Sequence, residues 1–266
     1  MNNSGVTVLI STYNWPLALE LTLNSLVNQS ILPNEIIIAD DGSSSDTEKL
    51  IQKYKNKVNI PIIHCWQEDK GFRLSLIRNK GLLKCNFDYI VQIDGDIICH
   101  KKFIEDHLFY RKKGFFLSGK RCNLSEEDTI NTLQTKTLVL SKSTLNNNKI
   151  QFKKRLGIIF KILRPNFVNK LVKTPIRGCN MSYWLQDAKS INGYNENIVG
   201  WGKEDDEFSL RLNKYGVKRK SLKFGAIAYH LKHEMRDLKN LERNEFLFKQ
   251  SIKSDDFKAK NSVIGK

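Results

Sequence analysis

The sequence predicts an α/β protein with a mostly parallel central sheet flanked by helices on both faces. Three observations predict it. Apolar, β-branched runs alternate with stretches of helical periodicity through roughly the first hundred residues. Polar clusters follow the carboxyl ends of these runs, where open α/β sheets bind ligands. The chain has 266 residues, 40% of them hydrophobic, which suits one large domain or two small ones.

The elements follow in order. VTVLIST (6–12) reads as a buried strand, and Pro16 suits the first turn of the helix that continues through LALELTLNSLVNQS. EIIIADD (35–41) is a second strand, and its GSSSDT tail supplies turn and N-cap residues before the helix TEKLIQKYKNK, with Asp41 or Ser43 as candidate caps. IPIIHCW (60–66) is a third strand, SLIRNKGLLKC (75–85) a helix, and DYIVQID (88–94) a fourth strand. Parallel neighbours joined by helices give crossover connections and bring four strand ends to one edge.

Composition narrows the function classes. The net charge of +16 favours anionic partners: nucleic acid, anionic lipid headgroups or phosphate-bearing substrates. No run approaches the ~20 apolar residues that span a bilayer, and the N-terminus lacks the pattern of a secretory signal. Five cysteines without C-x-x-C spacing point to reduced thiols in a cytoplasmic protein. Residues 146–173 are rich in Lys and Arg, carry no acidic residue and have apolar groups at helical spacing. They read either as a membrane-facing amphipathic insertion or as a helical excursion with its lysines in water. The C-terminal stretch is polar and helical in pattern, with a frayed end at SDDFKAKNSVIGK.

The chemistry begins at Asp94–Gly95–Asp96, where an apolar strand runs into two carboxylates. Charges so close repel, and a hard divalent cation such as Mg²⁺ or Mn²⁺ relieves the repulsion while keeping positions open for phosphate oxygens. One carboxylate could instead accept a sugar hydroxyl. Asp40 and Asp41 end a second strand, and Lys70, Arg73 and Arg78 follow the third, where they could offset diphosphate charge. About a hundred residues downstream, IRGCNMSYW (176–184) precedes GYNENIVGWGKEDDEFSLRL (193–212). Acidic residues suit a helix's first turn. Trp201 between two glycines, just ahead of them, also suits a sugar: its ring stacks on C–H faces while carboxylates bond hydroxyls or remove a proton. A short strand then ends at His230, with His233 beyond it, and either imidazole could complete a metal site begun by Asp96.

Together STYN, ADDGSSSD, IDGD, GWGKEDDEFSLRL and AYH resemble the inverting, nucleotide-sugar-dependent glycosyltransferases of family 2, over roughly residues 5–120 and 174–232. The C-terminal motifs are similar to those of galactosyl- and N-acetylgalactosaminyltransferases, and chondroitin-polymerase-type domains of bacterial surface-polysaccharide synthesis look alike. The resemblance implies a GT-A fold, a Rossmann-like sheet with a helical insertion and a C-terminal helical tail. It implies a nucleotide-sugar-binding half (1–120), a basic insertion (121–173), an acceptor-binding and catalytic half (174–232) and a tail (233–266).

Residue by residue, it implies that Thr12 and Tyr13 border the uracil pocket and that Asp41 reads the uracil edge. Arg78 contacts the diphosphate or buttresses the aspartates, and Asp94 bonds the ribose. Arg177, Gly178 and Asn180, within the Arg177–Asn180 segment, line the donor sugar. Asp96 and His230, with His233 as the competing ligand, hold Mn²⁺ or Mg²⁺. Asp205 is the base, Glu204 and Asp206 bind acceptor hydroxyls, and Trp201 is the sugar platform. The expected reaction moves a hexose or N-acetylhexosamine from a UDP-sugar to a saccharide or lipid-linked saccharide, in surface polysaccharide or lipopolysaccharide synthesis. The expected setting is cytoplasmic, peripheral at the inner face of an anionic membrane. A nucleic-acid-binding module and a sugar nucleotidyltransferase are the alternatives; no nucleic-acid motif supports the first, and the first βα turn lacks the Gly-rich phosphate loop expected of the second.

Overall fold

A computed structural model describes residues 4–142, 144, 176–222, 225–234 and 237–265. The basic stretch 146–173, and with it the membrane-facing expectation, lies outside the described residues.

The expected alternation is present. It runs β1 (Val6–Thr12), α1 (Pro16–Val27), β2 (Glu35–Asp40), α2 (Ser45–Lys57), β3 (Ile62–Trp66), α3 (Leu74–Leu83) and β4 (Tyr89–Asp94). Then come β5 (Ile97–Cys99), α4 (Phe103–Tyr110), β6 (Phe115–Ser118), β7 (Arg121–Asn123) and α5 (Glu126–Thr135). After the undescribed stretch, a 3₁₀ turn (Gly178–Asn180) leads into β8 (Met181–Trp184), α6 (Leu185–Ser190), α7 (Glu204–Lys214), β9 (Lys218–Ser221), β10 (Ala228–His230) and α8 (Leu241–Lys253).

Seven strands form the main sheet in the order β3-β2-β1-β4-β8-β6-β9. The β1, β2, β3 and β4 pairings are parallel, while β8 runs antiparallel to both β4 and β6. The segment after residue 176 therefore completes the first sheet instead of forming a second body. β1 is buried along its whole length, as a central parallel strand covered on both faces must be. Its alternate residues feed two cores: Val6, Val8 and Ile10 pack with Leu19, Leu23, Ile51 and Tyr54, and Leu9 packs with Ile77, Leu82, Tyr194 and Phe208. Gly81 lets α3 lie against β1, since a Cβ there would come within 2.7 Å of Leu9 Cδ1.

A second, three-stranded sheet, β5-β10-β7, stands just past the end of β4. β10 pairs antiparallel with β5 so that His230 faces Ile97, the residue after Asp96. This register brings a distant histidine to the Asp94–Asp96 turn.

Two local expectations are corrected. The N-cap of α2 is Ser44, within the GSSSDT tail as expected, but it makes no side-chain cap bond, and neither Asp41 nor Ser43 is the cap. Instead Asp40 Oδ1 accepts from Ser43 N, Ser43 Oγ accepts from Asn14 N, and Asn14 Oδ1 accepts from Ser44 N. The β1 and β2 loops are stitched together rather than each closing on its own helix. The end of the chain is not frayed over its length. Ala259 and Ser262 are buried, Ala259 N donates to Ile191 O, and Asn79 Nδ2 donates to Ser262 Oγ. Backbone groups that find such partners have no reason to stay in water. Among the described residues no helix is long and apolar enough to cross a membrane.

Candidate active site

The site grows from the strand ends. Gly95 N donates to Ser11 O, Asp41 N to Thr12 O and Gln67 N to Asp40 O, so β1, β2, β3 and β4 hand over to loops already bonded to one another. Gly95 is required here because a Cβ would approach Thr12 Oγ1 to 2.8 Å. Above this edge lies a cavity of about 620 Å³ lined by Thr12, Tyr13, Asp41, Asp94, Asp96, Trp201 and His233, among others. Two chain segments a hundred residues apart thus share one cleft, a usual setting for ligands.

Arg78 is the hub. Its guanidinium is buried and donates through Nε to Ser11 Oγ (2.9 Å), through Nη1 to Asp205 Oδ1 (2.9 Å) and through Nη2 to Asp94 Oδ1 (3.0 Å). It also lies 5.3 Å from the centre of the Tyr194 ring. Burial alone would weaken its hold on the proton, but the carboxylates of Asp205 and Asp94 outweigh it and hold the group charged. The fixed fork suits two carboxylates in a way that a lysine does not.

Asp205 and Glu204 open α7. Asp205 Oδ2 accepts from Gly178 N at 2.7 Å, and a Cβ on Gly178 would overlap this carboxylate. Burial raises the Asp205 pKa above the ordinary aspartate range, against the pull of Arg78 and with the push of Asp94. Burial, followed by the Asp205 charge, raises Glu204 to about 7. Glu204 Oε2 is buried and has no hydrogen-bond partner among the described residues. Asp206 is tied down by Ile176 N (2.8 Å) and by Lys203 Nζ at 3.8 Å.

The other expected positions are distributed as follows. Asp41 accepts from Gln67 Nε2 (2.5 Å) and Arg73 N (2.7 Å), and burial raises its pKa. Tyr13 is exposed and donates its hydroxyl proton to Asp69 Oδ2. Arg177 is exposed and does not line the cavity. Asn180 does not line the cavity either. It is fully buried, its Nδ2 donates to Lys120 O and Ala226 O, and its Oδ1 meets His107 Nε2 at 3.1 Å. Burial pushes the pKa of His107 down to about 3, so the imidazole is neutral and bridges Asn180 to Ser182. With its amide spent on protein partners, Asn180 is a post that fixes the Gly178 turn behind Asp205.

Asp96, His230 and His233 offer ligand atoms that all lie within 4.8 Å of one another. Asp96 Oδ2 is 3.4 Å from His230 Nε2 and 3.6 Å from His233 Nε2. His233 Nδ1 is 2.7 Å from Glu234 O, a bond that needs the proton on Nδ1, so Nε2 is the ring nitrogen turned toward Asp96 and placed to be a ligand. Both histidines, which the sequence offered as competitors, belong to one cluster. One carboxylate and two neutral imidazoles fit Mn²⁺ better than Mg²⁺, which prefers oxygen donors throughout.

Reasoning from sequence placed the stretches 11–14 and 67–73 at this edge but gave Ser11 and Gln67 no partner, and it did not pick out Tyr194; Ser11 holds Arg78, Gln67 holds Asp41 and the Tyr194 ring lies against Arg78. Ser11 and Asn14 stand in the STYN motif itself. Nothing local marks Tyr194.

The chain is similar to known proteins. Residues 7–170 match the model of glycosyl transferase family 2, and residues 160–234 match that of the N-terminal domain of galactosyltransferase. The chain is 29% identical over 239 residues to chondroitin synthase of Escherichia coli, covering 85% of this chain and 34% of that protein. It therefore spans about a third of the length of that curated relative. The crystal structure of S. aureus TarS matches with a TM-score of 0.65 at 17% identity, over 93% of this chain and 39% of that one. TarS 1–349 in complex with UDP-GlcNAc matches at 0.63 and 17%, over 93% and 66%. The mannosyltransferase PcManGT from Pyrobaculum calidifontis, in complex with GDP-Man and Mn²⁺, matches at 0.60 and 12%, over 88% and 59%. These likenesses show the fold, which is GT-A. With a family model matched over more than half its length, the chain belongs to glycosyl transferase family 2.

Proposed function

We propose that the protein transfers a hexose or N-acetylhexosamine from a UDP-sugar to a hydroxyl of a saccharide or lipid-linked saccharide, with inversion, in surface polysaccharide or lipopolysaccharide synthesis. The observation that carries the reading is the clasp of Asp94 and Asp205 by Arg78, beside the Asp96–His230–His233 cluster. It ties a strand end suited to a nucleotide to a carboxylate suited to an acceptor. The UDP-GlcNAc complex of TarS and the kinship with a chondroitin synthase support the donor and the product class.

In this reading Thr12, Tyr13 and Asp41 hold the uracil, and Asp94 holds the ribose. Asp96, His230 and His233 hold Mn²⁺ or Mg²⁺, which when bound supplies positive charge for the leaving diphosphate. Trp201 offers its ring to the acceptor sugar, with Glu204 and Asp206 beside it. Asp205 takes the proton of the attacking hydroxyl at a carboxylate oxygen; its raised pKa makes it a better acceptor than an ordinary aspartate. Arg78 fixes that carboxylate, so little reorganisation is needed at the moment of attack. Attack from the side opposite UDP turns an α-linked donor into a β-glycoside. The protein works in the cytoplasm, against the inner face of the membrane.

A panel of UDP-sugars and GDP-mannose with Mn²⁺, scored by nucleotide release through slow hydrolysis, tests the donor without any acceptor. Release of UDP from at least one UDP-sugar, and none of GDP, is expected. Release of GDP alone overturns the donor class, and release of pyrophosphate from a sugar phosphate and UTP overturns the transferase reading.

A further inference from the structure

The loop that carries Trp201 has little structure of its own. Gly200, Gly202 and Lys203 all take positive φ, at 78°, 99° and 75°, so the backbone around the ring has left the helical and extended regions. Trp201 belongs to no strand or helix, and its ring is 40% exposed where it lines the cavity. What sets its direction must therefore come from outside the loop.

Two bolts reach it. On the donor side, Gly200 N donates to Phe72 O at 2.9 Å. On the other side stands Asn244, in the first turns of α8. It is fully buried, and its Nδ2 donates to Val199 O at 3.0 Å and to Trp201 O at 3.3 Å. The glycines on either side pack on the same helix: a Cβ on Gly200 would approach Asn240 Nδ2 to 2.7 Å, and one on Gly202 would approach Leu241 Cδ1 to 3.0 Å. Lys203 leans the same way, 3.9 Å from Glu245 and 5.7 Å from the centre of the Phe248 ring.

We propose that Asn244 is a positioning residue for the acceptor half of the site: its side-chain amide fixes the backbone on both sides of Gly200 and so aims Trp201 at the sugar. The proposal rests on the transferase reading for its consequence, but not for its geometry. One amide with two hydrogens satisfies two carbonyls at once, which neither a carboxylate nor an alkyl group of the same size does. The helix that follows the family's matched segments thereby becomes part of the acceptor site. Its loss is expected to weaken acceptor binding and leave the donor site alone.

Asn244→Asp keeps the shape and turns two attractions into repulsions. Three measurements decide. The first is slow hydrolysis of the UDP-sugar that the wild type turns over, expected to stay within about twofold. The second is transfer to a panel of p-nitrophenyl glycosides of glucose, galactose and their 2-acetamido counterparts. There kcat/KM is expected to fall about tenfold or more, chiefly through KM. The third is acrylamide quenching of Trp201, isolated by subtracting the Trp201→Phe form, and expected to rise.

In a Trp201→Ala background, Asn244→Asp is expected to add less than a twofold further loss, because the amide acts through the ring. Asn244→Ser, which retains one donor, is expected to fall between wild type and Asn244→Asp. The proposal is overturned by unchanged transfer and quenching, by losses that multiply in the double variant, or by loss of a cooperative melt in both Asn244→Asp and Asn244→Ser, which would make the residue a folding determinant only. If the wild type hydrolyses no nucleotide sugar, the transferase reading fails, while the quenching result still decides whether Asn244 aims Trp201.

Discussion

Arg78 and Asp205 stand 127 residues apart in the chain and 2.9 Å apart in space. The guanidinium that binds Asp205 also binds Asp94 at the end of β4, so one buried cation joins the two halves of the cleft. Each half alone would carry a buried charge without a partner.

Arg78→Ala therefore leaves two carboxylates facing each other, and removing one partner of a buried pair typically costs about 3–5 kcal/mol. A fall in stability of this order is expected by urea unfolding, with loss of transfer. Arg78→Lys keeps the charge but not the fork, and should fold while transferring ~100-fold more slowly, a loss on the scale seen when a well-aimed donor is removed. An Arg78→Lys enzyme with full activity would show that the fork's geometry is unimportant.

Asp205→Asn should lower transfer by about 10²–10⁴-fold, the usual worth of a general base, with UDP affinity retained by calorimetry. Glu204→Gln should cost far less, since an amide still bonds a hydroxyl. If the two losses come out in the reverse order, Glu204, whose carboxyl is raised to about 7, is the base.

Asp96→Ala should remove the Mn²⁺-dependent part of UDP binding. His230→Ala and His233→Ala should each weaken it, because both ring nitrogens face the same carboxylate oxygen. Titrations of UDP with and without Mn²⁺ check this. A His233→Ala protein indistinguishable from wild type would return the site to one histidine, and an EDTA-treated enzyme with full activity would remove the metal altogether.

Glu204 is raised from its ordinary value to about 7 by burial and by Asp205. The folded protein therefore holds a proton that the unfolded chain has released between about pH 4.5 and 7. This contribution to stability is complete below pH 4.5 and is lost as the pH rises through about 7. Glu204→Gln cancels the loss, so its melting temperature should exceed that of wild type by a few degrees at pH 8 and match it near pH 4.5. An equal difference at both pH values would exclude a titrating Glu204. In the transfer reaction Asp205 must be free of its proton, so activity should fall on the acid side at a pH above the ordinary aspartate range.

The motifs and their chemistry were legible because they are local. IDGD sits where β4 ends, the acidic run opens α7, and Pro16 starts α1 in its first turn. The roles of individual carboxylates were less legible. Asp41 and Ser43 have the residue types of helix caps, yet Ser43 accepts from Asn14 N in the neighbouring loop and Asp41 accepts from Gln67 and Arg73 instead. Asn180 has the chemistry to bind a sugar, yet its amide closes a buried network with His107. Side-chain type says what a group can bond; burial and neighbours decide what it does bond.

The sequence by itself determined the alternation of strands and helices, the polar strand ends and the stock of carboxylates, histidines and aromatics, because these depend on periodicity and residue type. Only the tertiary structure decided which of them meet. The register of β10 on β5 delivers His230 to Asp96, the antiparallel entry of β8 beside β4 brings the Gly178 turn to Asp205, and α8 puts Asn244 under Trp201. Those distances are set by how separate elements pack around one core, and no stretch of neighbouring residues contains them.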